Sequence, residues 1–299
     1  MKAAWSWWAL HAAAVAGAAF SLCVLIPYPH LWSHLPGAPQ AYAFAMEHAG
    51  PLHILLGAAA ALAYGRHALG WRPTLIFFGV SSALSLGMEL LGTGTGWPFG
   101  AYAYTLGLGP KVLGRVPYSI PLSWFYLGFV SWLLARELVR RHLGRPSAVL
   151  EVALGTWLLL AWDLVLDPAM AHPDLPVRFW RWHERGAYIG MPLVNLVGWL
   201  VTGAAFMGVA RAWIGGGADR APADRRFLLA LYGTNLAFGA VLCASLGLVA
   251  PIVLALVAGL LPALSLWWGA DVDPQLSALP SAASSRGLSG LQAQEPSSR

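Results

Sequence analysis

The sequence predicts an all-α fold: a polytopic transmembrane helix bundle. Three observations carry that expectation. Only 10% of the 299 residues are charged and 58% are hydrophobic, whereas an average soluble domain is roughly 25% charged. The apolar residues fall into runs of about 20, the length that crosses the hydrocarbon core of a bilayer as a helix. The basic residues sit in short clusters between those runs, as in the loops of a membrane protein. So few charges could not cover the exterior of a soluble fold this apolar. The same composition excludes a disordered chain, and two cysteines exclude a disulfide scaffold.

The candidate spans lie near 5–27, 50–66, 73–92, 119–136, 147–167, 187–211, 227–246 and 248–268. The first run, Ala3 to Ile26, exceeds the roughly 7–15 residues of a signal-peptide core and reads as an uncleaved span. Its Trp5, Trp7 and Trp8 read as an interfacial belt. The second span is short and interrupted by Gly50-Pro51. The seventh and eighth nearly touch, so the count could fall to seven. Alternation of strand type is weak, and the runs are too long for a β-barrel. Cys23 and Cys243 both lie in apolar runs, which suits packing.

Eight spans place 13 Lys and Arg on one side of the membrane and 5 on the other, namely Lys111, Arg115, Arg178, Arg181 and Arg185. The positive-inside rule then puts both termini in the cytoplasm of a multi-pass protein of the cell (inner) membrane. Two connections on the charge-poor side, 93–117 and 168–186, are long and rich in aromatic residues, which suits loops folded back onto the bundle. Residues 1–270 thus form a single transmembrane helical domain. Residues 271–299, rich in Ser, Ala, Gly and Pro and lacking aromatics, read as a disordered polar tail.

An ionisable group at bilayer depth is expensive and marks a functional site by default. Glu89 lies near the end of the third span, and Asp163 and Asp167 end the fifth. Four residues apart, the two aspartates share one helix face. Two carboxyl groups that close repel when both are ionised, and burial adds to the effect. Pro168 should end the helix at Asp167, next to the negative end of the helix dipole. That describes a candidate general acid. Both spans run outward, so Glu89, Asp163 and Asp167 should share one depth beneath the aromatic loops. Glu151, at the other end of the fifth span and next to Arg145, reads as a snorkelling or paired interfacial acid.

Other motifs carry less. Gly92-Thr93-Gly94-Thr95-Gly96 lacks dinucleotide and P-loop spacing, and suits a tight turn or a close approach. His48 and His53 straddle a Gly-Pro break without a matching second pair, and His183-Glu184 stands alone, so no metal site is expected. The basic residues form no stripe or motif for nucleic acid.

Two blocks resemble the membrane-bound carotenoid biosynthesis proteins, whose characterised members are carotenoid hydratases. The first is Glu89-Leu-Leu-Gly-Thr-Gly-Thr-Gly-Trp-Pro-Phe-Gly-Ala-Tyr-Ala-Tyr104, continued by Leu108-Gly-Pro110, Gly114-Arg-Val-Pro117 and Ile120-Pro-Leu-Ser-Trp-Phe125. The second is Asp163-Leu-Val-Leu-Asp-Pro168, then Trp180-Arg-Trp182, Gly186-Ala-Tyr188, Gly190-Met-Pro192 and Asn195-Leu-Val-Gly-Trp199. The likeness covers about residues 85–200. It implies a cofactor-independent hydro-lyase that adds water across the terminal 1,2 (1′,2′) double bond of an acyclic carotenoid end group, giving a tertiary 1-hydroxy carotenoid. The implied partners are a lycopene-like or monocyclic C40 substrate, membrane lipid and other enzymes of the carotenoid pathway. Glu89, Asp163 and Asp167 are the expected catalytic residues. Trp97, Phe99, Tyr102, Tyr104, Trp124, Trp180, Trp182, Tyr188 and Asn195 are the expected substrate-binding residues. Three other readings remain open at this point: a non-catalytic pigment-binding protein of the pathway, a different enzyme of the same pathway such as a metal-dependent hydroxylase, and a proton-coupled transporter, although no inverted repeat is visible.

Overall fold

The computed structural model describes residues 1–105, 107–215 and 221–266. The tail expected at 271–299 lies outside them. Helix α1 is Lys2–Phe20, prolonged by a π turn over Ser21–Leu25. Then follow α2 Ala38–Ala68, α3 Trp71–Thr95, α4 Ser119–Leu143, α5 Ala148–Met170, α6 Val194–Ile214 and α7 Arg225–Ser245. Helix α8, Val249–Leu264, contains a π turn over Leu256–Leu260. Each expected span overlaps one helix. Among the described residues, six are long and apolar enough to cross a membrane: Lys2–Leu25, α3, α4, α5, α6 and α7. α2 is longer but less apolar, and α8 is apolar but short.

Three expected boundaries move, each for a local reason. α2 starts twelve residues before Gly50, because Gly37 turns the chain at φ 78° and the Ala-rich segment that follows is a good helix former. Pro51 sits inside it. α6 starts at Val194 rather than 187, because Gly186 pairs with Gly190 and Tyr188 with Met191 in a small knot of backbone bridges. α5 runs through Pro168 to Met170 instead of stopping at Asp167.

α4 is the central helix. Every residue from Trp124 to Arg136 is buried, with Phe125, Phe129, Trp132 and Leu134 fully enclosed. It packs on α5, α3, α2 and α7, while α6 closes against α3 and α5, and α1 lies mainly along α2. The outer helices turn Leu10, Phe20, Leu75, Leu84, Val197 and Val201 outward, a surface matched to lipid tails. Trp7 is exposed as a belt residue would be. Trp5 and Trp8 instead face α7, where their indole N–H groups donate to Asp224 Oδ2 (3.2 Å) and Thr234 Oγ1 (3.1 Å).

The strands missed by the sequence reading are short. β1 (Tyr102–Tyr104) pairs antiparallel with β4 (Trp180–Trp182), and β2 (Lys111–Val112) pairs with β3 (Val116–Pro117). The first pair joins the two long aromatic connections into one ribbon across the end of the bundle.

Glu151 is fully buried at the opposite end of α5. It accepts from Arg211 Nε on α6 at 2.7 Å and lies 3.8 Å from Arg136 Nε on α4, so its partners are these two arginines rather than Arg145. Removing one partner of a buried ion pair leaves an uncompensated charge, which costs about 3–5 kcal/mol. Glu151→Ala should therefore lower the midpoint of thermal unfolding in detergent sharply. Val149→Ala, at a 77% exposed site two residues away, should leave it unchanged.

Candidate active site

The site forms where α3, α4, α5 and α6 meet the ribbon. α3 ends at Gly96, whose φ of 82° reverses the chain and brings β1 back over the helix end. Strand alternation then turns Tyr102 and Tyr104 inward and Ala103 outward. On β4, Trp182 stands opposite Tyr102 and Trp180 opposite Tyr104, with ring centroids 5.3 and 6.1 Å apart. Cross-strand aromatic pairs of this kind stabilise a short ribbon.

Glu89 is 4% exposed and holds three donors. Its Oε2 accepts from the Tyr102 hydroxyl and, at 2.9 Å, from the Tyr104 hydroxyl. Its Oε1 accepts from Trp124 Nε1 on α4 at 2.9 Å. Burial, and next the Glu89 charge, hold the phenols of Tyr102 and Tyr104 well above their ordinary range, so both stay protonated as donors.

Asp163 and Asp167, four residues apart, stand on one face of α5. Asn195 on α6 donates its amide to Asp167 Oδ2 and, at 3.2 Å, to Asp163 Oδ2.

One cavity of about 70 Å³ gathers these groups. Glu89, Asp167, Asn195, Phe99, Tyr102, Tyr104, Trp124, Trp180 and Trp182 all line it. Asp163, fully buried, stands behind Asp167 and outside the lining. Trp97 and Tyr188 also lie outside. Trp97 follows the reversal at Gly96 and is 57% exposed. Tyr188 turns to α5, where its hydroxyl donates to the Leu164 carbonyl at 2.8 Å. That carbonyl is the one Pro168 leaves unpaired, since proline has no N–H for the residue four before it. Tyr188 thus explains how α5 continues past a proline and keeps Asp167 in register with Asp163.

Several residues of the site escaped the sequence reading. Trp199 stacks on Trp124 at 4.0 Å, and Trp162 meets Trp199 edge-on at 5.8 Å. The Phe99 ring wedges between α3 and α6: a Cβ on Gly92 would come within 2.7 Å of it, and one on Gly198 within 2.3 Å. A second polar chain reaches the cavity from the other side. The Tyr126 hydroxyl donates to Asn235 Oδ1 (2.7 Å), the Asn235 amide meets His11 Nε2 (3.2 Å), and His11 Nδ1 meets the His53 carbonyl (2.7 Å). These partners fix the Nδ1–H tautomer of His11. His11 and Asn235 are polar groups inside apolar runs, so the rule that flagged the acids also marks them.

The fold and site together define a multi-pass helical membrane protein with a carboxyl-lined, aromatic-walled cavity at one end. Residues 49–262 match the family described as carotenoid biosynthesis protein, and the chain belongs to that family. It is also similar to bisanhydrobacterioruberin hydratase of Haloarcula japonica, with 37% identity over 117 residues. That alignment covers 39% of this chain and 36% of the relative, so the chain spans about a third of the relative's length. No solved structure matches.

Tyr188→Phe removes only the hydroxyl that serves the Leu164 carbonyl. One lost hydrogen bond of this kind costs about 1 kcal/mol. The variant should unfold at a slightly lower temperature, and amide exchange should quicken in the last turns of α5 and not in α7.

Proposed function

We propose that the protein is a carotenoid hydratase that adds water across the terminal 1,2 double bond of an acyclic end group. The observation that carries this reading is the carboxyl pair. Asp167, one helical turn from Asp163 and joined to it through the Asn195 amide, is the member that lines the same aromatic cavity as Glu89. A trisubstituted alkene is a weak base, so its protonation needs a positioned acid shielded from bulk water. Asp167 delivers the proton to carbon 2. The tertiary cation at carbon 1 then faces the π surfaces of Trp124, Trp199 and Trp180. A carboxylate offers about four acceptor sites, and three on Glu89 are filled by Tyr102, Tyr104 and Trp124. The remaining site receives a proton of the attacking water as its oxygen bonds to carbon 1. The alkene thereby gains H and OH, and solvent exchange returns the proton from Glu89 to the aspartate pair. Asp163 and Asn195 position Asp167.

This addition is redox-neutral and balances without a cofactor. The relative's name, hydratase, supports the reaction class, and the family supports a carotenoid as substrate. We further propose eight spans in one domain over residues 1–270, with both termini cytoplasmic. That arrangement sets the cavity near the charge-poor face of the cell (inner) membrane, where lycopene-like or monocyclic C40 carotenoids partition from the lipid.

Expression in a lycopene-producing host tests the reading. The expected result is pigment heavier by one or two waters. Asp167→Asn should lower product formation by about 10²–10⁴-fold, the usual contribution of a general acid. Glu89→Gln should lower it strongly too, and Asp163→Asn less than Asp167→Asn. Unchanged pigment with wild-type protein in the membrane, or full activity in all three variants, would sink it.

A further inference from the structure

The acid cavity, about 70 Å³, holds no more than an end group, so most of a C40 polyene must leave it through one wall. Three of its lining residues, His53, Met170 and Phe238, also line a second cavity, an apolar groove of about 470 Å³ between α1 and α2. That volume falls within the range of small-molecule sites, about 300–1,000 Å³. The groove follows α1 and its π turn from Ala14 to the cap residue Ile26, and α2 from Ala38 to His53. At about 1.5 Å per helical residue it is roughly 20 Å long.

Its walls suit a rigid, methyl-branched hydrocarbon. Nine of its 22 lining residues are Ala or Gly, whose small side chains leave the space between bulkier Leu22, Leu25, Trp32 and Phe179 unfilled. A Cβ on Gly17 would meet nothing within 4 Å. At the deep end, Gly50 packs against the Gly107 carbonyl so closely that a Cβ there would lie 1.8 Å from it, which closes the groove on the side of the β1–β2 loop. At the mouth, Trp32 stacks on Tyr42 at 5.0 Å, and its indole N–H donates to the Leu25 carbonyl at 2.7 Å. Both aromatic groups line the groove and are fixed in place there. Gly17 and Ala45 are exposed, so the open side faces lipid.

We propose that this groove binds the conjugated tail of the substrate while its end group occupies the acid cavity. The proposal rests on the hydratase reading. A lipid acyl chain shares the groove's apolar chemistry. The polyene is favoured because the wall at His53, Met170 and Phe238 is common to the groove and to the carboxyl cavity.

Gly17→Leu, Ala45→Phe and the double variant fill the groove at positions that do not line the acid cavity. Leu75→Phe, at a lipid-facing site on α3, is the control. Each purified protein is given lycopene and a C15 acyclic isoprenoid with the same terminal alkene. The ratio of kcat/KM for lycopene to that for the C15 probe should fall at least tenfold in the double variant and stay unchanged in the control. Lycopene binding, read by quenching of tryptophan fluorescence, should weaken at least tenfold as well. An unchanged ratio with unchanged quenching would overturn the groove assignment and leave the hydratase reading standing. An equal loss for both probes would overturn it too, since a tail site must discriminate by length. If the wild type hydrates neither probe, the hydratase reading fails, and quenching in the double variant against the control still decides whether the groove holds the polyene.

Discussion

Glu89 is a carboxyl group in an apolar interior, and such a group must be met by donors or it destabilises the fold. Its three donors come from two places: Tyr102 and Tyr104 from the ribbon, and Trp124 from α4. That requirement organises the charge-poor end of the molecule. β1 must fold back over α3, which the turn at Gly96 permits. A three-residue strand is not stable alone, so β1 takes β4 as partner, and the two long connections become one lid. Trp180 and Trp182 then arrive opposite the tyrosines. The aromatic wall of the cavity follows from satisfying one acid.

The aspartate pair depends on a second local solution. Pro168 would ordinarily end α5 and splay Asp167 from Asp163. The Tyr188 hydroxyl takes up the carbonyl that the proline cannot serve, and Asn195 bridges both carboxyl groups from α6. α6 can approach this closely because Gly198 admits the Phe99 ring. The two halves of the site, on α3 and on α5, are thus tied through the same short stretch of α6 that the bridges at Gly186 and Tyr188 precede.

How much of this is legible in the sequence varies by element, for physical reasons. Glu89, Asp163 and Asp167 stand out because acids are scarce in apolar runs, and the direction of the spans brings them to one end. The structure places Glu89 and Asp167 in one cavity and Asp163 just behind. Tyr102, Tyr104, Trp124 and Asn195 enter only through the family resemblance, since nothing in periodicity separates an aromatic donor from a belt residue. The β1–β4 pairing leaves no pattern, because three residues are too few to show alternation and the partners are 76 to 80 positions apart. Pro168 misleads: its effect on α5 depends on Tyr188, twenty residues later. Trp97 misleads too, since it is adjacent in sequence to the site but turned away from it. His11 and Asn235 could be found by the rule that found the acids. Cys23 and Cys243 are both free and unremarkable in the packing, as their apolar surroundings suggest.

The central claim is that a carboxyl pair protonates a terminal alkene and that water supplies the new hydroxyl. Isotope labelling addresses it in one measurement. Purified protein in detergent, incubated with lycopene in ¹⁸O-labelled water under air, should yield a hydroxylated product carrying the heavy oxygen, with one solvent deuterium at carbon 2 when the water is also deuterated. Product bearing ordinary oxygen, drawn from air, would contradict the account.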